Sequence, residues 1–100
     1  MAGQSWSINI VSSASGVAFN PDVFGVAPGS PLQAQKGDLV CWNNQTDNPH
    51  QLVVGSGDTA ETFDVTPWSS TNAYLIQTAA PATITYSCDG SETGNIEVVK

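Results

Sequence analysis

The chain has 100 residues, with nine acidic side chains against two lysines and no arginine, for a formal net charge of −7. That length suits one domain spanning residues 1–100, and the charge excludes the basic patch that nucleic-acid binding requires. Hydrophobic residues make up 40% of the chain, enough for a core, but no run approaches the roughly 18–20 apolar residues that cross a bilayer, so no membrane insertion is expected.

Met1 to Gln4 lack a basic segment followed by an apolar one, and no secretion signal is expected there. From that point apolar runs are short and interrupted by Gly, Pro, Asn, Asp and Ser, the pattern of many short strands. Trp6 to Val11 alternates and predicts a first strand. Val17 to Phe19 predicts a second, stopped by Asn20-Pro21, and Phe24-Gly25-Val26 resumes it as far as Pro28-Gly29. Gly37-Asp38 is a turn that launches Leu39 to Asn43. In that strand Val40 and Trp42 share the better core face, which leaves Cys41 pointing outward.

After the polar segment Asn44 to Pro49, a strand is expected over His50 to Val54. Thr62 to Val65 and Ala73 to Ile76 are weaker candidates. Thr83 to Cys88 alternates well, with Ile84, Tyr86 and Cys88 on one face, and Ile96 to Val99 closes the chain. No segment has a sustained helical period with caps. The expected fold class is therefore all-β, a Greek-key sandwich of about seven or eight strands.

Three groups of residues, in order along nearly the whole chain, carry a family resemblance. The first is Phe19-Asn20-Pro21-Asp22-Val23-Phe24-Gly25-Val26-Ala27-Pro28-Gly29. The second is Gly37-Asp38-Leu39-Val40-Cys41-Trp42-Asn43-Asn44, followed by Asn48-Pro49-His50. The third is Tyr86-Ser87-Cys88 ahead of a loop and the terminal Gly94-Asn95-Ile96-Glu97-Val98-Val99. Together they resemble the cupredoxin family, and its plastocyanin-like members in particular. Against that pattern, Ser30 to Lys36 looks like an extra loop.

The resemblance implies a metal position at one end of the sandwich. There His50 matches the first histidine ligand of copper and Cys88 the cysteine, while Asn44 matches an asparagine whose backbone steadies the thiolate. Thiolate and imidazole suit copper in both oxidation states. The match then stops. The second histidine is expected three residues after Cys88, where Ser91 stands; His50 is the only histidine and Met1 the only methionine. The segment Cys88-Asp89-Gly90-Ser91-Glu92-Thr93-Gly94 is also shorter than the family's loop. Asp89 and Glu92 lie on it, and a carboxylate there offers a substitute ligand.

The expectation is thus a cupredoxin-fold protein that has lost its blue-copper site and serves, without a cofactor, as a binding or structural module. The alternative is a copper protein, for electron transfer or copper delivery, with altered ligands His50, Cys88 and Glu92. By resemblance alone, the setting is the periplasm, the thylakoid lumen or the cell exterior.

Cysteine count does not decide between a disulfide, a metal site and free thiols. The family layout puts Cys41 and Cys88 on different sheets, which implies no bond between them. Trp68 is expected to plug one end of the core, with partner docking as the other option. Asn44-Gln45-Thr46 fits a glycosylation sequon. No acid that would orient His50 and no oxyanion loop is legible, so no enzymatic activity is expected. The acidic charge keeps the surface soluble and is compatible with a cationic protein partner.

Overall fold

A computed structural model describes residues 3–14, 16–27, 29–55, 60–90 and 92–100. Among the described residues, nine strands account for the regular structure: β1 (Ser5–Ser13), β2 (Gly16–Pro21), β3 (Leu32–Ala34), β4 (Leu39–Asn44), β5 (His50–Val54), β6 (Glu61–Val65), β7 (Tyr74–Leu75), β8 (Ala82–Cys88) and β9 (Glu92–Val98). They form a four-stranded sheet in the order β2-β1-β4-β7 and a five-stranded sheet in the order β3-β9-β8-β5-β6. The chain changes sheet after β2, β3, β4, β6 and β7. The β1–β4 and β3–β9 pairs are parallel, and the other strand pairs are antiparallel.

Alternation along each strand selects the core face. Ile8, Ile10, Phe19, Val40 and Trp42 from one sheet meet Leu52, Val54, Ile84, Tyr86, Cys88 and Ile96 from the other. Trp42 lies at the centre, with its ring 5.2 Å from that of Tyr86 on the opposite sheet. Phe19 meets the same Tyr86 edge-on at 4.8 Å. Edge-to-face contacts of this kind add about 0.5–1.5 kcal/mol beyond the area they bury. Gly94 leaves room for that ring, because a Cβ there would lie 2.4 Å from Tyr86 Cζ.

Three expectations are corrected and one boundary moves. The supposed extra loop over Ser30 to Lys36 contains β3, whose Leu32 and Ala34 are buried and pair with Ile96 and Val98. Three residues are too few to show alternation, and the partner strand lies at the far end of the sequence. Phe24-Gly25-Val26 is a turn rather than a strand: the amide of Val26 donates to the carbonyl of Val23, Gly25 has φ of +84°, and Phe24 is fully exposed. β2 runs two residues beyond Phe19 and ends at Pro21, so Asn20-Pro21 belongs to the strand it stops, and Pro21 pairs with Ile8 on an edge strand that tolerates a missing N–H. Trp68 does not plug the core; 66% of its surface is exposed and its φ is +59°.

The far end of the sandwich is tied by Asp38, which is buried at the turn before β4. Its Oδ1 accepts from the amides of Gly3 and Gln4, and its Oδ2 from the Trp6 indole and the Gln35 amide. Burial pushes this carboxyl up, but hydrogen bonds from Trp6, Gln35, Gln4 and Gly3 outweigh that and hold it below the ordinary aspartate value.

Candidate functional site

At the opposite end, β4 finishes, β5 begins, β6 finishes and β8 turns into β9. Asn44, the last residue of β4, organises these loops. Its side-chain amide donates to the carbonyls of Asn48 (2.8 Å), Val65 (3.1 Å) and Thr66 (3.3 Å). Its Oδ1 accepts from the amide of Thr46 at 3.0 Å and its hydroxyl at 2.7 Å. Asn44 is only 1% exposed, so these bonds work in a dry environment where an unmade one is expensive. The backbone role expected of Asn44 is not observed, because its N–H donates to the carbonyl of Ser69. A side chain with donors and an acceptor at the end of a buried strand is what three converging loops demand.

The shortened segment after Cys88 is a tight hairpin. Cys88 pairs with Glu92 across it, so Glu92 belongs to β9 and not to a loop. Asp89 and Gly90 carry the reversal with φ of +54° and +77°, conformations that Asp and Gly tolerate better than other residues. This turn places Asp89 against the start of β5. Its amide donates to the carbonyl of Gln51 at 2.8 Å, and its Oδ1 accepts from the amide of Gln51 at 2.9 Å.

Asp89 Oδ2 lies 2.6 Å from His50 Nδ1 and 3.7 Å from Cys88 Sγ. His50 Nε2 lies 3.0 Å from the Thr46 hydroxyl, so both ring nitrogens are engaged. Burial pushes the Cys88 thiol up to about 12, and the charge of Asp89, the hydrogen bond to Asp89 and the charge of Glu92 push the same way. The thiol is therefore protonated and a poor nucleophile. For Asp89, burial raises the carboxyl, but hydrogen bonds from Gln51 and His50, the charge of His50 and the contact with Cys88 bring it below the ordinary value.

Ligand atoms of His50, Cys88 and Asp89 all lie within 4.8 Å of one another, the one such group among the described residues. The structure thus brings together two of the three expected ligands. Glu92 is elsewhere, its carboxylate beside Gly16, where a Cβ would come within 2.9 Å of Oε2. Asp89 takes the central position, for which the signal available in sequence was its place directly after Cys88 in a turn too short to hold more. Cys41 and Cys88 are free thiols on different sheets, Cys41 half-buried and Cys88 buried. A blue-copper centre does not fit this donor set: there is one imidazole, one thiol and one carboxylate, with no second imidazole in the chain.

Trp68 stands on the same end, its indole N–H donating to Asp47 Oδ1 at 2.9 Å. No helix among the described residues is long and apolar enough to cross a membrane. No protein-family model and no curated protein matches the sequence.

Proposed function

We propose that this chain is a cupredoxin-like Greek-key domain that works without a metal, as a binding or structural module. One observation carries this reading: the Asp89 carboxylate already holds His50 Nδ1 at 2.6 Å and contacts Cys88 Sγ at 3.7 Å, so the imidazole and the thiol are satisfied without a metal ion. The hairpin that delivers Asp89 also removes the chain that would wrap an ion. What supports the family part of this reading is that Cys41 and Cys88 are free thiols on different sheets, as the resemblance implies. Nothing in this reading calls for enzymatic chemistry.

The test is copper loading followed by removal of excess ion. The expected result is protein without stoichiometric copper and without a thiolate-to-copper absorption band. One tightly held copper per chain, with a band lost in Cys88→Ser, refutes the proposal. That outcome is what a second reading requires, in which His50, Cys88 and Asp89 hold copper through an altered, harder ligand set. The convergence of their ligand atoms within 4.8 Å favours that second reading, and the occupied ring nitrogens of His50 count against it.

A further inference from the structure

A cleft of about 580 Å³ opens beside the turn that follows β2, lined by Trp6, Val23, Val26, Pro31 and Leu32 among others. Leu32 is buried, and Trp6 and Val23 pack against the core. The Trp6 indole is fixed by its hydrogen bond to Asp38 at 2.9 Å, so the cleft lies toward the Asp38 end. A dry cavity of about 150 Å³ already holds a benzene ring, so this cleft has room for a phenyl group.

A phenyl group stands next to it, in water. Phe24 is fully exposed, although its neighbours Val23, Gly25 and Val26 all line the cleft. The Val26 amide closes the turn on the Val23 carbonyl at 3.1 Å, and Gly25 takes φ of +84° at the third position, where a type II turn needs a positive value. The turn therefore holds the ring outward, and little ordering is left to be done when it docks. A free apolar ligand would fill the cleft and leave Phe24 in water. A partner covers both only if it offers an apolar projection and an apolar recess side by side. A second copy offers both by identity, which is what a two-fold interface requires.

Charge also selects this end for self-association. Two copies at −7 each repel. Lys36 and Lys100 follow β3 and β9, whose last paired residues, Ala34 and Val98, are neighbours, so both lysines lie at the Asp38 end. They nearly balance Asp22, Asp38 and Glu97 there, and Asp38 is buried. Asp47, Asp64, Asp89 and Glu92 lie toward the His50 end, which contact through the Asp38 end keeps apart. We infer that the chain forms a weak two-fold dimer through this end, Phe24 of each copy seated in the other's cleft against Trp6 and Leu32. The inference goes beyond the metal-free reading and does not rest on it. Two phenyl rings bury roughly 300–500 Å², short of the roughly 1,200–2,000 Å² of a stable interface, so a dissociation constant of about 100 μM is expected.

The test is sedimentation velocity from about 10 μM to about 1 mM protein, a range that brackets that constant. A monomer–dimer equilibrium is expected. Phe24→Ser should weaken it at least about tenfold, the scale of burying one large apolar side chain. Leu75→Ser, which removes another exposed apolar side chain on β7, should leave it unaltered. Raising salt from about 20 to about 200 mM should strengthen association by screening the repulsion between copies. In a mixture of labelled and unlabelled chains, isotope-filtered NOEs should join the Phe24 ring of one copy to the Leu32 methyls and Trp6 ring of the other. A monomer across the whole range, equal losses from the two substitutions, association that weakens with salt, or a dimer without those NOEs overturns the proposal. A monomer that takes up indole, read at the Trp6 and Leu32 signals, makes the cleft a small-ligand site and overturns the assignment to a second copy.

Discussion

Asp89 and His50 are 39 residues apart in sequence, yet Asp89 Oδ2 and His50 Nδ1 are 2.6 Å apart. The contact exists because β5 and β8 are neighbours and the β8–β9 hairpin turns immediately after Cys88. A carboxylate bonded at once to an imidazole and to the Gln51 amide is held more firmly than an exposed turn residue would be.

Replacing Asp89 with alanine removes both bonds and keeps a side chain at positive φ. It should cost about 1–2 kcal/mol in urea unfolding at neutral pH. Asp89→Gly should cost about 1 kcal/mol less than Asp89→Ala, because glycine accepts that φ without strain. Both variants should also lower the Cys88 thiol from its raised value by removing a neighbouring negative charge. Native-state labelling of Cys88 by a disulfide reagent near pH 8 should then become faster.

Asp38 makes stability depend on pH. Its carboxyl titrates below the ordinary value of 3.8 in the folded protein, so the unfolded chain takes up the proton first as pH falls. Its contribution is therefore complete above the unfolded value and drains away as pH drops below it toward the folded value. Asp38→Asn should flatten that acid limb in urea melts recorded from pH 6 to pH 3. At neutral pH it should cost about 3 kcal/mol, since an amide cannot accept from all four donors.

Asn44 tests whether its two-sided bonding matters. Asn44→Asp keeps the acceptor for Thr46 but faces the carbonyls of Asn48, Val65 and Thr66 with a group that donates nothing. It should destabilise by about 3–4 kcal/mol, comparable to loss of a buried polar network. Hydrogen exchange at Thr46 and Asn48 should accelerate more than exchange in β8.

Gly94→Ala would place a methyl group 2.4 Å from Tyr86 Cζ, inside the ring's contact distance. The Tyr86 ring is packed against Phe19 and Trp42 and cannot retreat without disturbing both. A loss of about 2 kcal/mol is expected, typical of overpacking. A near-UV circular dichroism change from the aromatic cluster should accompany it.

Much of the sandwich was legible because its strands alternate. Ile8 and Ile10, Val40 and Trp42, and Ile84, Tyr86 and Cys88 announced their inward faces, and all are buried. β3 was not legible, because a three-residue strand has no period and Leu32 finds its partner Ile96 only after the rest of the chain has folded. Trp68 misled for a related reason. A large aromatic is expected inside, but nothing local says whether the sheet edges leave room for it, and Asp47 holds its indole at the surface.

At the site, sequence alone determined the inventory: one histidine, a cysteine thirty-eight positions later, no second histidine and too short a turn after Cys88. Those facts depend on residue identity and count, which need no coordinates. Only the tertiary structure decided that Asp89, and not Glu92, faces His50 and Cys88. The direction of a side chain in a tight turn is set by backbone φ and by strand register, and β9 begins at Glu92, which commits that residue to the ladder and leaves Asp89 in the turn.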